Sequence, residues 1–371
     1  MNATSQEPIP AFSKVVIGFI SSSMIIGTVG NSLVLYAFKG ETSAFNTLLT
    51  VLGVFDILAC IFHMPLDIAS IYNPKLLPNM AICKMSCFMI AFTAIGSAVL
   101  LVSIATIRYK AVCHPHSANM SVNHAKIVGV VAFCIALTLA SPVPLIFGVS
   151  ELELDGVVHI FCGVQNAYIM TPYPLAFYVV LGSLFILSLT ILTGLYVFTG
   201  RELWKKKKAF ASTKISTNQV NPSVCVSDLQ GQQVTTQNTS KTSVTKGDKG
   251  YENTQQGDKA RKNTVNRKSV TVSPNVQKNR RTQKTFLMMF LVSVVFFLSY
   301  TPHLFLVFYF MAFNMAAFPA HALSHWYGVA MRSFFINNVA DPFIYGFYSQ
   351  DFRKNIKTIP TKLKQICCSK F

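Results

Sequence analysis

Polar side chains set within long apolar runs are the residues of this chain best suited to chemistry. Asn31, Asp56, Ser97, Asn337, Asn338 and Asp341 all stand in such runs. Groups of this kind are costly away from water, so they mark either interhelical hydrogen bonds or a functional site. Asp56 and Asp341 have no basic residue at the same depth. Two such carboxylates call for a small cation, with Ser97 and Asn337 adding oxygen ligands, or for a proton on one of them. The alternative is a set of bonds that hold a bundle together, each worth roughly 0.6–2 kcal/mol. His321 and His325 are one helical turn apart, a spacing that binds zinc. No Asp, Glu or Cys joins them at suitable spacing, and a surface pair is the better reading.

The elements that position these residues are membrane spans. The chain is 51% hydrophobic and 12% charged, with a mean hydropathy of +0.44. A soluble domain of this size needs more charge to cover its surface. Apolar runs fall at about 15–38, 46–71, 84–109, 124–147, 173–200, 284–313 and 326–347. Each is most simply a helix, because backbone groups in lipid must be bonded internally. The short alternating segments of a barrel are absent. The expected fold is an all-α seven-transmembrane bundle with a short membrane-surface helix after it. Residues 1–14 form an outer N-terminus, and 348–371 the surface helix and cytoplasmic tail. With the N-terminus outside, all 32 Lys and Arg except Lys14, Lys75, Lys84 and Arg332 fall on inner segments. This positive-inside pattern assigns the net charge of +18 to a cytoplasmic face near anionic lipid, not to nucleic acid.

The first apolar run is too long for a signal-peptide core and reads as a signal-anchor. Asn2 opens a glycosylation sequon on the outer tip, whereas those at Asn119 and Asn238 fall on inner segments. Residues 205–279, rich in Ser, Thr, Asn, Gln and Lys, read as a disordered third cytoplasmic loop. Ser269, after Arg267-Lys268, is either a kinase target or part of a solvated linker. Cys83 and Arg108 are roughly 37 Å apart along a helix, hence at opposite membrane faces. Cys83 then faces the oxidising side with Cys162, and a disulfide between them is expected, Cys87 being the rival partner. Cys367 and Cys368, in a basic tail beyond the last span, suit palmitoylation.

Taken in order, these features resemble the rhodopsin-like (class A) G-protein-coupled receptors, and most nearly their peptide-receptor branch. Gly30-Asn31 resembles the first-helix motif, Asp56 the second-helix acid, and Cys83 with Cys162 the family disulfide. Ile107-Arg108-Tyr109 stands at the acid-Arg-Tyr motif. Phe296, Ser299, Tyr300 and Pro302 have the spacing of the sixth-helix switch. Asp341-Pro342-Phe343-Ile344-Tyr345 resembles the seventh-helix motif, and Phe352-Arg353 opens the surface helix. The resemblance implies a plasma-membrane receptor whose ligand binds between the outer helix ends and opens an inner cavity for a heterotrimeric G protein. Arg108, Tyr109, Tyr196 and Tyr345 would serve that coupling, and arrestin and receptor kinases would be further partners. It also implies a sodium ion among Asn31, Asp56, Ser97, Asn337 and Asp341, and no other cofactor.

Several positions depart from the family. Phe133 replaces the fourth-helix Trp, Tyr300 the switch Trp and Ser188 the fifth-helix Pro. Ile90 replaces the acid of amine receptors, and residues 326–347 hold no Lys for a retinal Schiff base. An N-terminus this short is no hormone-binding ectodomain. A neuropeptide-like ligand is therefore expected, with a lipid or small anion as the alternative. Glu151, Glu153 and Asp155 would steer a basic peptide or form a solvated turn. His63, Asp67, Ile90, His303, Tyr309, Trp326 and Arg332 are the expected pocket residues, Asp67 and Arg332 either pairing or leaving Arg332 for a ligand carboxylate. A metal-dependent membrane hydrolase using the His pair, and a channel or transporter, are the weaker readings, so the chain is not expected to be an enzyme.

Ile107 replaces the acid that normally restrains the neighbouring Arg, and Thr282 lies where some relatives place a second acidic restraint. Arg108 is thus expected to be loosely held and basal signalling raised, the alternative being another partner for Arg108 that the sequence does not reveal. Ile107→Asp should lower basal second-messenger output at matched surface expression, and equal output would refute this.

Overall fold

The computed structural model describes residues 11–40, 43–72, 80–115, 120–154, 157–217, 274–312 and 325–358. Asn2, Ser269, His321, Cys367 and Cys368 lie outside them, as do the sequons at Asn119 and Asn238. Among the described residues the chain makes seven spans. The first is α1 (Ala11–Ala37). The second is α2 (Ala44–Leu58), a π turn (Ala59–His63) and α3 (Met64–Tyr72). The third is α4 (Met80–Cys113), and the fourth is α5 (Val122–Ala140) with the short α6 (Val143–Ile146). Next come α7 (Tyr173–Thr217) and α8 (Pro274–Ala312). The last span is α9 (His325–Ala330) and α10 (Phe335–Tyr348), followed by α11 (Gln350–Lys357). The first six are long and apolar enough to cross a membrane. α4 is the central post, packed on α2, α5, α7 and α8. Ile186, Leu187, Phe198, Leu298 and Phe305 are each more than half exposed, which suits a surface facing lipid rather than water.

The structure departs from the simplest reading of the spans in four places. Pro65 has no N–H, and its ring would collide with the carbonyl four residues earlier in a regular helix. The π turn absorbs it: the N–H of Met64 reaches back five residues to the Ala59 carbonyl. The seventh span breaks at residues 331–334, where Arg332, Ser333, Phe335, Ile336 and Asn337 each bond three residues back instead of four. α7 and α8 run well into the expected loop, to Thr217 and from Pro274. Residues 205–217 contain no Gly or Pro to stop a helix, and Pro is favoured at a helix start. Finally, the fold is not purely helical. β1 (Phe147–Leu154) and β2 (Val157–Val164) form an antiparallel hairpin with Val149 opposite Cys162. Asn166 fastens its base, its side-chain oxygen accepting from Ser150 Oγ at 2.8 Å and from the Glu151 N–H.

The surface helix is pinned as well as capped. Ser349 Oγ accepts from the Phe352 N–H at 3.1 Å, and Phe352 is buried against Phe38 and Tyr345. Asn355 donates to the Ala37 carbonyl at 2.7 Å, tying α11 to the end of α1.

Close helix approach depends on several glycines, Gly30 and Gly96 among them. A Cβ at Gly30 would lie 2.7 Å from Pro342 Cγ, and one at Gly96 only 2.1 Å from Phe55 Cε1. Phe55 is itself buried among Phe92 and Phe133, so its ring has little room to withdraw. Gly96→Ala should therefore destabilise the bundle by about 1–3 kcal/mol, the usual cost of overpacking. Thermal unfolding of purified protein checks this; adding Phe55→Leu should restore part of the loss, and an unshifted Gly96→Ala would contradict the packing.

Candidate functional site

The polar core begins with proline chemistry. Pro342 cannot donate to the Asn338 carbonyl one turn earlier, and Asn31 Nδ2 from α1 fills that vacancy at 2.7 Å. Tyr345 Oη donates to Asp341 Oδ2 at 3.3 Å, and both residues are buried. Asn31 Oδ1, both Asp56 carboxyl oxygens and Asp341 Oδ1 are buried without a hydrogen-bond partner. Asp56 and Asp341 are close enough for each carboxylate to feel the other. Ser97 and Asn337 are buried too. A cluster of unpartnered hard oxygens with excess negative charge fits a small cation. Among the described residues no three His, Cys, Asp or Glu side chains form a metal-binding group.

The half of the bundle nearer the disulfide holds a second polar cluster, built on the two irregular turns. The π turn carries His63, whose ring stacks on Phe334 at 5.6 Å. Four residues on, Asp67 receives Arg332 Nε at 2.6 Å and Nη2 at 2.9 Å. This two-bond fork closes the choice left open by the sequence: Arg332 is paired. Because the seventh span tightens at 331–334, the Phe335 N–H goes to Arg332 and the Met331 carbonyl lacks its helical donor. His303 Nδ1 meets that carbonyl at 2.8 Å. A carbonyl only accepts, so Nδ1 carries the proton and Nε2 of the neutral ring is left as an acceptor.

Beside this cluster, a cavity of about 370 Å³ lies between α4, α5, α7 and α8, with Phe147 at the start of the hairpin among its walls. Its walls are mostly apolar. Tyr178, Tyr300 and His303 supply most of the polarity, and Phe296 lies beneath Tyr300 with ring centres 4.8 Å apart. Of the pocket residues expected from sequence, Ile90 and His303 line this cavity. His63, Asp67 and Arg332 do not; they form the neighbouring cluster. Trp326 is 84% exposed and Tyr309 stacks on Phe305 on an outward face, so neither walls the cavity. Their seats near helix ends suggested a pocket, but the cavity lies across the bundle from the seventh span. Sequence reasoning missed Tyr178 and Phe147; aromatic residues in an apolar run carry no signal of which way they face. Glu151 is exposed, while Asp155 and the Glu153 side chain lie outside the described residues. The same holds for the side chain of His325.

Cys83 and Cys162 form the disulfide, with Cα atoms 5.6 Å apart, and Cys87 is free. At the opposite end of α4, Arg108 has no ion pair among the described residues. Its guanidinium lies 3.4 Å from the centre of the Phe45 ring. Tyr109 meets His114 edge-on. Tyr196 is held by α8, donating to the Met289 carbonyl at 2.9 Å with Ser293 Oγ at 2.8 Å. Pro302 sits inside α8, and Ser333 Oγ donates to the nearby Ser299 carbonyl at 2.6 Å.

Seven spans, a polar core with unpartnered carboxylates, a cavity beside the hairpin and an arginine near the far end of α4 define a helical membrane protein of the receptor type. The chain belongs to the 7 transmembrane receptor (rhodopsin family), whose family model matches residues 30–345. It is thus a multi-pass membrane protein. Similar proteins include neuropeptide Y receptor type 5 of Sus scrofa, 28% identical over 140 residues that cover 37% of this chain and 31% of that receptor. Cholecystokinin receptor type A of Mus musculus is 27% identical over 138 residues, 36% of this chain and 32% of its own. Melatonin receptor type 1A of Ovis aries is 33% identical over 95 residues, 25% and 26% respectively. The matched stretches thus span about a third or less of these relatives' lengths.

The Asp67–Arg332 fork is shielded, with side chains 13% and 23% exposed. Removing one partner strands the other, so Asp67→Ala should cost about 3–5 kcal/mol before relaxation. Removing both should cost less than the sum. A double-mutant cycle read by thermal unfolding tests this, and strict additivity would show that the pair is not coupled.

Proposed function

We propose that the chain is a plasma-membrane receptor, N-terminus outward, that binds an extracellular neuropeptide and activates a heterotrimeric G protein. The observation that carries this reading is the reach of α4. It walls the cavity from Cys87 to Ser103 and presents Arg108 one to two turns beyond that wall, about 27 Å from Ile90 along the same helix. A ligand against the outer part can therefore bias the inner part without any flexible connection.

The relatives named for neuropeptide Y and cholecystokinin support a peptide ligand. An apolar cavity with Tyr178, Tyr300 and His303 suits an aromatic or aliphatic peptide end that brings a donor to His303 Nε2. The same lining suits a lipid-like ligand, which is the second reading. A small anion is disfavoured, because Asp67 already occupies the Arg332 fork. Opening would pivot α8 about Pro302, release Tyr196 from Met289 and Ser293, and free Arg108 for the G protein. Tyr109 and Tyr345 would border the same opening. Arrestin and receptor kinases would then act on the cytoplasmic face. A sodium ion held by Asn31, Asp56 and Asp341, with Ser97 and Asn337 near, would supply the positive charge that the core lacks and favour the closed form. Glycosylation at Asn2 and palmitoylation at Cys367 and Cys368 belong to the same reading.

A library of peptides, with lipids and small anions as further arms, should be screened on transfected cells with calcium and cyclic-nucleotide readouts. A peptide should signal through the wild type and not through Arg108→Ala at matched surface expression, and His303→Ala should raise the concentration required about tenfold or more. Equal signalling by Arg108→Ala would overturn the coupling scheme, and a response to lipids alone would overturn the peptide. In the purified protein, sodium should raise the melting temperature over choline at equal ionic strength, and Asp56→Asn should abolish the difference. An unchanged difference would remove the ion from the core.

A further inference from the structure

The family acid beside Arg108 is Ile107 here, yet Arg108 is not adrift. Its guanidinium carbon lies 3.4 Å from the centre of the Phe45 ring, well within the range of a cation–π contact. Phe45 is 8% exposed and sits in the first turn of α2, so the ring is fixed by packing and the contact is shielded from water. Arg108 Nε is buried with no hydrogen-bond partner, which shows that hydrogen bonding does not fully satisfy the group. Asp351 of α11 is near enough to act on its charge, but among the described residues no carboxylate forms an ion pair with it.

We infer that the Phe45 ring is the resting restraint on Arg108, replacing the missing acid and setting the balance between closed and open forms. The inference rests on the coupling role proposed for Arg108. Physically, the ring's negative face stabilises the cation only while α2 and α4 keep their present spacing at this end. Any rearrangement that turns Arg108 toward a G protein must first lift it off the ring. The closed form gains this attraction and the open form does not, so the contact biases a two-state bundle without touching either ligand. It also revises the expectation of raised basal output: an aromatic ring restrains an arginine whose acid is absent. The contact is selective by chemistry, because an aliphatic side chain of similar bulk fills the same space but has no quadrupole.

The test compares Phe45→Leu, which keeps bulk and loses the ring, with Phe45→Tyr, which keeps the ring. Full-length receptor is expressed at matched surface level and read for basal second-messenger output. Phe45→Leu should shift the closed–open balance by about twofold to thirtyfold toward open and raise basal output measurably. Phe45→Tyr should stay near wild type. A second readout needs no G protein. Met289, fully buried on α8 beneath Tyr196, is changed to Cys in each background, and its labelling rate by a thiol reagent is followed in purified receptor. Faster labelling with Phe45→Leu and an unchanged rate with Phe45→Tyr support the restraint. Equal rates in all three, or equal acceleration by Leu and Tyr, would overturn it and leave only a packing role. Faster labelling without any signalling would keep the restraint and refute the coupling reading.

Discussion

A backbone carbonyl that loses its helical donor inside a bilayer has no water to replace it, and leaving it bare costs several kcal/mol. This chain nevertheless places Pro302 and Pro342 within spans and breaks its last span at residues 331–334. The bundle answers with donors from other spans. Asn31 of α1 serves the Asn338 carbonyl, and His303 of α8 serves that of Met331. Beside Pro302, whose missing N–H bares the Leu298 carbonyl, Ser333 of the seventh span donates to the next carbonyl, that of Ser299. The irregularities at Pro342 and at residues 331–334 are therefore joints: the donor that satisfies each also fixes which helix stands beside which. Gly30 belongs to the same arrangement, since only a residue without Cβ lets α1 come close enough to Pro342 for Asn31 to reach past it.

That logic explains what the sequence made legible. Long apolar runs and the one-sided placement of Lys and Arg reveal the spans because bilayer thickness and anionic lipid act on composition directly. Asp56, Asp341, Asn31 and Arg108 stand out because polar atoms are rare in such runs. The π turn, the break at 331–334 and the hairpin were not legible, because they arise from backbone bonds that a hydropathy pattern does not encode. Pro65 hinted at the π turn, but a proline in a span is equally consistent with a kink. Phe45 was hidden for a different reason. It lies more than sixty residues before Arg108 in sequence, and one phenylalanine in an apolar helix looks like any other core residue.

The two polar clusters differ in a way that separates support from poise. Asp67 and Arg332 satisfy one another through a fork, so the outer cluster holds α3 to the seventh span and has little reason to change. Asp56 and Asp341 sit deeper and keep unpartnered oxygens. A buried carboxylate in that condition is costly while ionised, and a cation or a proton must relieve it. The deeper cluster is consequently the one whose energy responds to solution conditions, and its Ser97 stands on α4 between Ile90 of the cavity wall and Arg108.

The inner end shows why a ring can succeed where an acid is missing. A carboxylate beside an arginine forms hydrogen bonds and saturates the fork, so release means breaking directed bonds in a shielded place. A ring face attracts the same charge with about 0.5–2 kcal/mol and occupies none of its donors. Arg108 is thereby held in place while keeping its hydrogen-bonding capacity for a partner. Tyr196, tied to α8 by its hydroxyl, supplies the directed bond that the arginine lacks. On the proposed scheme the closed form divides its restraint between a soft contact on α2 and a directed one on α8. The open form needs both released: Arg108 must leave the Phe45 ring to face a partner, and Tyr196 must leave α8 for that helix to swing about Pro302.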